Sequence, residues 1–129
     1  MRHFFFLALC AGLWSACKAP GDFPLHRDWQ LFELKSKTLP AAVTITLRFE
    51  GKGKRFSGNN SCNDYSGTYE KSDPATLRFG PAMSTKKYCT AVADWESAYM
   101  TVLGMVDNYA IREGRLHLYA GTKQVAVFK

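Results

Sequence analysis

Along residues 43–49 the apolar positions Val43, Ile45, Leu47 and Phe49 alternate with Thr44, Thr46 and Arg48. That period of two predicts a strand with one buried face and one wet face. Less regular alternation predicts further strands over 29–34, where apolar residues fall on both faces, and over 54–58, 65–70, 76–79, 109–113, 115–119 and 124–129. Gly51 and Gly53 suit a hairpin after the 43–49 strand, the 72–74 segment Ser-Asp-Pro separates two others, and Gly114 and Gly121 divide the last three into a meander. One stretch follows a different period. Over 91–106, Val92, Trp95, Tyr99, Val102, Leu103 and Val106 recur at helical intervals. Thr90 is placed to cap that helix, Asp94 and Glu96 lie early, where the helix dipole favours acids, and Met100 and Met105 supply soft core filler. The order predicts an α+β domain: a curled, mainly antiparallel sheet of about eight short strands, forming a partial barrel, with one helix packed on it.

The beginning of the chain has another pattern. Residues 1–16 carry Arg2 and His3, an apolar run over 4–13, and Ser15 and Ala16 before Cys17, the layout of a bacterial secretion signal. The run is about half the roughly twenty residues that a transmembrane helix needs. Residues 13–17, Leu-Trp-Ser-Ala-Cys, resemble a lipoprotein signal, in which Cys17 becomes the lipidated first residue of the mature chain. Trp14 stands where such signals usually have Leu, Val or Ile, so an unlipidated secretion signal is one alternative and a buried N-terminal helix another. Residues 17–26, with Pro20, Gly21 and Pro24, suit a tether, and 27–129 form the domain. Lys18 rather than an aspartate after Cys17 favours a lipid anchor in the outer membrane, facing the periplasm, within the cell envelope.

Composition narrows the reading. With 129 residues, 47% hydrophobic, 14% aromatic and 22% charged, the chain fits one globular domain and excludes disorder, collagen-like repeats and coiled coil. The net charge is +6, and removing residues 1–16 takes away Arg2 and no acid, leaving +5. The excess suits anionic headgroups or polysaccharides, but only Arg48, Lys52, Lys54 and Arg55 cluster, and a solvated hairpin turn also accounts for them. Export makes nucleic acid an unsuitable partner. Of the four cysteines, Cys10 lies in the signal and Cys17 is assigned to the lipid. Cys62 and Cys89 remain, and an oxidising compartment pairs them as a disulfide contributing about 3–4 kcal/mol. A metal or thiol site using them with His26 and His117 is the competing reading; no pair shows metal-ligand spacing, and no metal or cofactor is expected.

Residues 57–69, Ser-Gly-Asn-Asn-Ser-Cys-Asn-Asp-Tyr-Ser-Gly-Thr-Tyr, form the densest run of turn formers and aromatics. Together with Cys62-Asn63, Gly67-Thr68-Tyr69, Met83-Ser84-Thr85, Cys89, Glu96 with Tyr99 and Leu103, and Val125 to Phe128, this run resembles the META domain, or HslJ-like, family over 27–129. Ser61 departs from the glycine usual before the cysteine. The resemblance implies a small mixed fold found in bacterial envelope lipoproteins or exported proteins, associated with heat shock and antibiotic tolerance, and with no agreed enzymatic activity. It also extends to the cracked-barrel pilotins at the level of fold alone.

The candidate binding surface is Asn59, Asn60, Asn63, Tyr65, Lys86 and Lys87. The structural alternative has Asn63 closing a turn, Gly58 and Gly67 allowing positive φ or close packing, and Tyr65, Tyr69 and Tyr88 as core aromatics. Ser84, His117 and Asp94 can be assembled on paper into a triad, but no motif supports one, and an enzyme is not expected. The expected function is a non-enzymatic envelope lipoprotein acting as a binding or assembly module, linked to stress or antibiotic tolerance. Its partners are the membrane, through the N-terminal lipid, and an unknown envelope protein or apolar ligand. The alternatives are a pilotin-like carrier of an acyl chain or other apolar ligand, and an inhibitor of an exported hydrolase.

Overall fold

The structure, a computed structural model, describes residues 27–51 and 54–129. The signal, Cys17, the tether and Lys52 lie outside the described residues. The elements run β1 (Asp28–Leu34), β2 (Lys37–Thr38), β3 (Thr46–Glu50), β4 (Arg55–Asn59), β5 (Asp64–Glu70), β6 (Arg78–Phe79), β7 (Met83–Ser84), α1 (Ala93–Leu103), β8 (Asn108–Arg112), β9 (Arg115–Ala120) and β10 (Lys123–Phe128). The eight-strand expectation missed β2 and β7, two-residue strands too short to show alternation. Thr76 and Leu77 lie outside regular strand, while Val43 and Ile45 are buried ahead of β3.

The sheet order is β6-β5-β4-β3-β1-β10-β9-β8, with β2 added to β1 and β7 to β5. The pairings between these strands are antiparallel. β1 breaks its own alternation because the register with β10 shifts between Leu31 and Glu33. The irregularity puts Trp29, Leu31 and Leu34 all in the core. A second shift between Gln124 and Ala126 does the same for β10, whose residues Val125, Ala126, Val127 and Phe128 are all buried. The two ends of the sheet meet at a short seam: Thr76 bridges Asn108, Leu77 N donates to Asp107 O at 3.3 Å, and Tyr109 N donates to Ala75 O at 2.9 Å. The result is a partial barrel with one helix on it.

The helix starts later than its apolar pattern. Val92 is the N-cap and no side chain caps it, so Thr90 does not do so; instead Val92 N donates to Cys89 O at 3.1 Å, folding residues 89–92 into a turn. Tyr99, Val102 and Leu103 point into the barrel. The interior is filled by large side chains, including Trp29, Phe49, Phe56, Tyr99, Leu118 and Phe128. Tyr99 meets Tyr65 and Phe128 edge-on at ring distances of 5.6 and 6.3 Å, a favourable arrangement of aromatic quadrupoles. Among the described residues no helix is long and apolar enough to cross a membrane.

Candidate functional site

The β4–β5 hairpin is built on two aromatic-over-glycine pairs. Phe56 faces Gly67, and Gly58 faces Tyr65, in consecutive inward positions of the ladder. Each ring occupies the space that the missing side chain opposite leaves. A Cβ on Gly58 would lie 2.0 Å from Thr46 O and 2.7 Å from the Tyr65 hydroxyl; on Gly67 it would meet the Phe56 ring at 2.7 Å. Both glycines therefore serve close packing, and neither has a positive φ. The Tyr65 hydroxyl donates to Thr46 O at 2.5 Å and lies 2.6 Å from the Tyr99 hydroxyl. With its own proton committed, Tyr65 accepts from Tyr99. Burial pushes both phenols well above the usual tyrosine range.

Beside the hairpin, Asn60 and Asn63 are buried. Asn60 closes the turn: its Oδ1 accepts from Asn63 N at 2.7 Å and Cys62 N at 3.3 Å. Asn63 was the expected turn closer, but its amide faces away from the loop and uses both of its ends. Its Oδ1 accepts from Lys87 N at 2.7 Å and Thr85 Oγ1 at 2.9 Å, while Nδ2 donates to Lys87 O and Glu96 Oε1, each at 2.9 Å. Asn60 Nδ2 reaches the same Glu96 oxygen at 3.4 Å. Glu96 thus anchors the helix to the loop as well as lying near its positive end. The Cys62–Cys89 disulfide is formed, with Cα atoms 5.8 Å apart. Ser61, in the place of the expected glycine, carries the positive φ of this loop at 81°, and its hydroxyl accepts from Thr44 N at 3.2 Å.

The outward face of the same strands forms a groove of about 740 Å³. Across it the register runs Arg48, Ser57, Ser66, Met83. Two long side chains thus stand about 14 Å apart, three strand spacings, over a floor of serines. Asn59 and Asp64 pair across one end, with Asn59 Nδ2 donating to Asp64 Oδ1 at 3.0 Å. Arg48 is held by Asp28 through two bonds of 2.5 and 2.9 Å, so it is a braced wall of the groove and its charge is met within the fold. That hydrogen-bonded guanidinium holds the Asp28 carboxyl below the usual range.

With the hairpin, the brace and the groove in place, the comparisons with known proteins are specific. The family model of the META domain matches residues 23–129. The chain belongs to the META domain family. The fold is similar to that in an NMR structure of a protein from Burkholderia xenovorans, with a TM-score of 0.64 and 25% identity over 81% of this chain and 82% of that one. A second NMR structure is similar in fold, with a TM-score of 0.62 and 19% identity over 81% of this chain and 89% of the other. No curated protein matches.

This META domain divides the six expected surface residues between three environments. Asn60 and Asn63 are buried where their loop meets Glu96 of the helix, and Tyr65 is 2% exposed, so the open surface expected of these three is not formed. Asn59 and Tyr65 border the groove. Lys86 and Lys87 are exposed on the segment after β7. Tyr69 is a core aromatic, whereas Tyr88 is 82% exposed and does not belong to the core. Ser84 donates to Thr85 O and His117 Nδ1 bonds Gln124 Oε1, so neither turns to the other as a catalytic pair. Among the described residues of this META domain no group of three or more His, Cys, Asp or Glu could hold a metal ion. No residue of the helix lines the groove. Sequence reading missed Ser57, Ser66 and Met83 as groove residues. Ser57 and Ser66 each directly follow an inward aromatic, Phe56 and Tyr65, so the period of two places both serines on the outward face, whereas β7 leaves no pattern from which to find Met83.

Proposed function

We propose that this META domain is the soluble part of an exported, non-enzymatic lipoprotein, anchored through Cys17 and working as a binding or assembly module of the cell envelope in stress or antibiotic tolerance. The observation that supports a binding role is the groove on the outer face of β3, β4, β5 and β7. Its floor is cleared to serine size, its walls are Arg48 and Met83, and its polar groups are braced in advance, so little ordering is needed on binding. Small side chains on a sheet allow another chain to approach the surface closely. The groove's lining mixes apolar surface, that of Met83 included, with hydroxyl, amide and carboxylate groups, which suits a ligand carrying both apolar and hydrogen-bonding parts.

The test is affinity capture from envelope extract with the native chain and with Ser66→Trp, which fills the floor from an outward-facing position. A partner recovered by the native chain and lost with Ser66→Trp supports the groove; the same partner recovered equally by both rejects it. Intact mass measurement of the protein taken from membranes tests the anchor separately. Acyl chains on Cys17 are expected, and a mature chain without them rejects this part of the proposal.

A further inference from the structure

We infer that the segment 83–88 is a contact site for the anionic headgroups of a lipid bilayer. Met83 and Tyr88 are 79% and 82% exposed, the two most exposed large apolar side chains described, and they bracket the exposed Lys86 and Lys87. Exposed apolar residues scattered singly need no explanation; two of them with two lysines within six residues do. The backbone beneath them is fixed. Asn63 bonds both Lys87 N and Lys87 O, Thr85 N donates to Asp64 O at 3.0 Å, and Cys89 is tied to Cys62. These side chains are therefore presented without the cost of ordering a loop.

Charge and size select the occupant. Residues 74–93 contain Arg78, Lys86 and Lys87 and no acid, within a chain of net charge +6. Asp64 and Glu96, which the loop around Asn63 links to this segment, are bonded by the amides of Asn59, Asn60 and Asn63, and no ion pair joins either of them to Lys86 or Lys87 among the described residues. Both lysines are exposed on the same short segment as an exposed amphipathic phenol and a flexible thioether. Tyrosine settles at the membrane–water interface, lysine adds attraction to anionic lipid, and methionine adapts to a disordered surface. A stable protein interface takes roughly 20–30 residues a side, far more than this segment supplies. The inference does not depend on acylation of Cys17, because the segment belongs to the folded domain.

Residues 27–129 hold every described strand, the described helix and the disulfide, so this piece contains the whole described fold and can be tested without any lipid anchor. Sedimentation with vesicles of phosphatidylcholine mixed with phosphatidylglycerol is expected to show salt-sensitive binding that phosphatidylcholine alone does not give. Lys86→Ala with Lys87→Ala should weaken it about tenfold or more, and Tyr88→Ser further. The control Lys35→Ala with Lys123→Ala removes the same charge from exposed positions elsewhere and should cost much less. All three variants change exposed side chains, and unchanged thermal melting establishes that they fold. Equal losses in the two lysine pairs would mean diffuse attraction to a basic protein and overturn the inference. Equal binding to both vesicle types, or full competition by soluble glycerol phosphate, overturns it too, as does capture of an envelope protein through these residues without vesicle binding.

Discussion

The Tyr65 hydroxyl crosses the bare backbone of Gly58, its partner in the β4–β5 ladder, to reach Thr46 O on the next strand and the Tyr99 hydroxyl on the helix. A single missing side chain thus lets one tyrosine join three strands and the helix. Gly58→Ala forces a Cβ to within 2.0 Å of a backbone carbonyl, so the ladder must shift, and a loss of about 2–4 kcal/mol is expected by denaturant unfolding. Tyr65→Phe should cost about 1–3 kcal/mol by leaving Tyr99 without its acceptor. Gly58→Ala should remain damaging in the Tyr65→Phe background, because its closest clash is with Thr46 O. If the double variant regains stability, the hydroxyl and not the carbonyl sets the requirement for glycine.

Asn63 donates two bonds and accepts two, to three partners in two segments: Thr85 and Lys87 after β7, and Glu96 on the helix. Asn63→Ala leaves Lys87 N, Lys87 O and a Glu96 oxygen short of a partner in a partly buried place, and about 2–3 kcal/mol should be lost. Asn63→Asp keeps the volume and the acceptors but turns an anion toward Glu96 and a carbonyl. It should therefore also destabilise, and increasingly so as the pH is raised through the carboxylate range. Chemical unfolding of both variants at two pH values checks this, and an aspartate variant as stable as the native chain at neutral pH would refute the donor role.

Most of the architecture is legible in the sequence because burial imposes alternation. Val43 to Phe49 reveals its inward face, and Tyr99, Val102 and Leu103 reveal the helix stripe. The Cys62–Cys89 pairing is anticipated from the cysteine count together with the expectation of an oxidising compartment. The site is less legible, for two physical reasons. Asn60 and Asn63 look like surface turn residues because a polar side chain gives no sign that its partners are another loop and a helix distant in sequence. Glycine at 58 shows that space is needed there, yet nothing local says that a tyrosine hydroxyl fills it. The register shifts in β1 and β10 break alternation where long-range pairing, and not local pattern, decides which side chains turn inward.

The β8–β9 turn has room for improvement. Arg112 pairs with Arg115 around Glu113 and Gly114, whose φ angles are 53° and 72°. A two-residue hairpin with positive φ at both central positions favours Asn-Gly, and glutamate is poorly suited to that conformation. Glu113 is exposed. Glu113→Asn should therefore stabilise the domain by roughly 0.5–1 kcal/mol. A raised thermal midpoint with an unchanged denaturant m-value is the expected reading, and a lowered midpoint would show that Glu113 contributes something its backbone angle does not reveal.

Acid should open the seam between the ends of the sheet first. Asp73 is held below the usual carboxyl range by hydrogen bonds from Thr76 N, Thr76 Oγ1 and Ala75 N, and Asp107 by those from Asn108 Nδ2 and Gly121 N. Both residues adjoin the bonds that bring β8 to residues 75–77. A carboxyl whose folded pKa lies below its unfolded value adds stability that is present above the unfolded value, near pH 4, and lost as pH falls through the folded one. The stability loss on acidification should accordingly lie below about pH 4, and Asp73→Asn or Asp107→Asn should flatten that slope. Hydrogen exchange locates the effect. The amides of Leu77 and Tyr109 should lose protection at higher pH than those in the β9–β10 ladder, since the seam rests on few bonds and two titrating carboxylates. Simultaneous loss across all strands would mean that the barrel opens as one unit and that the seam is not its weak line.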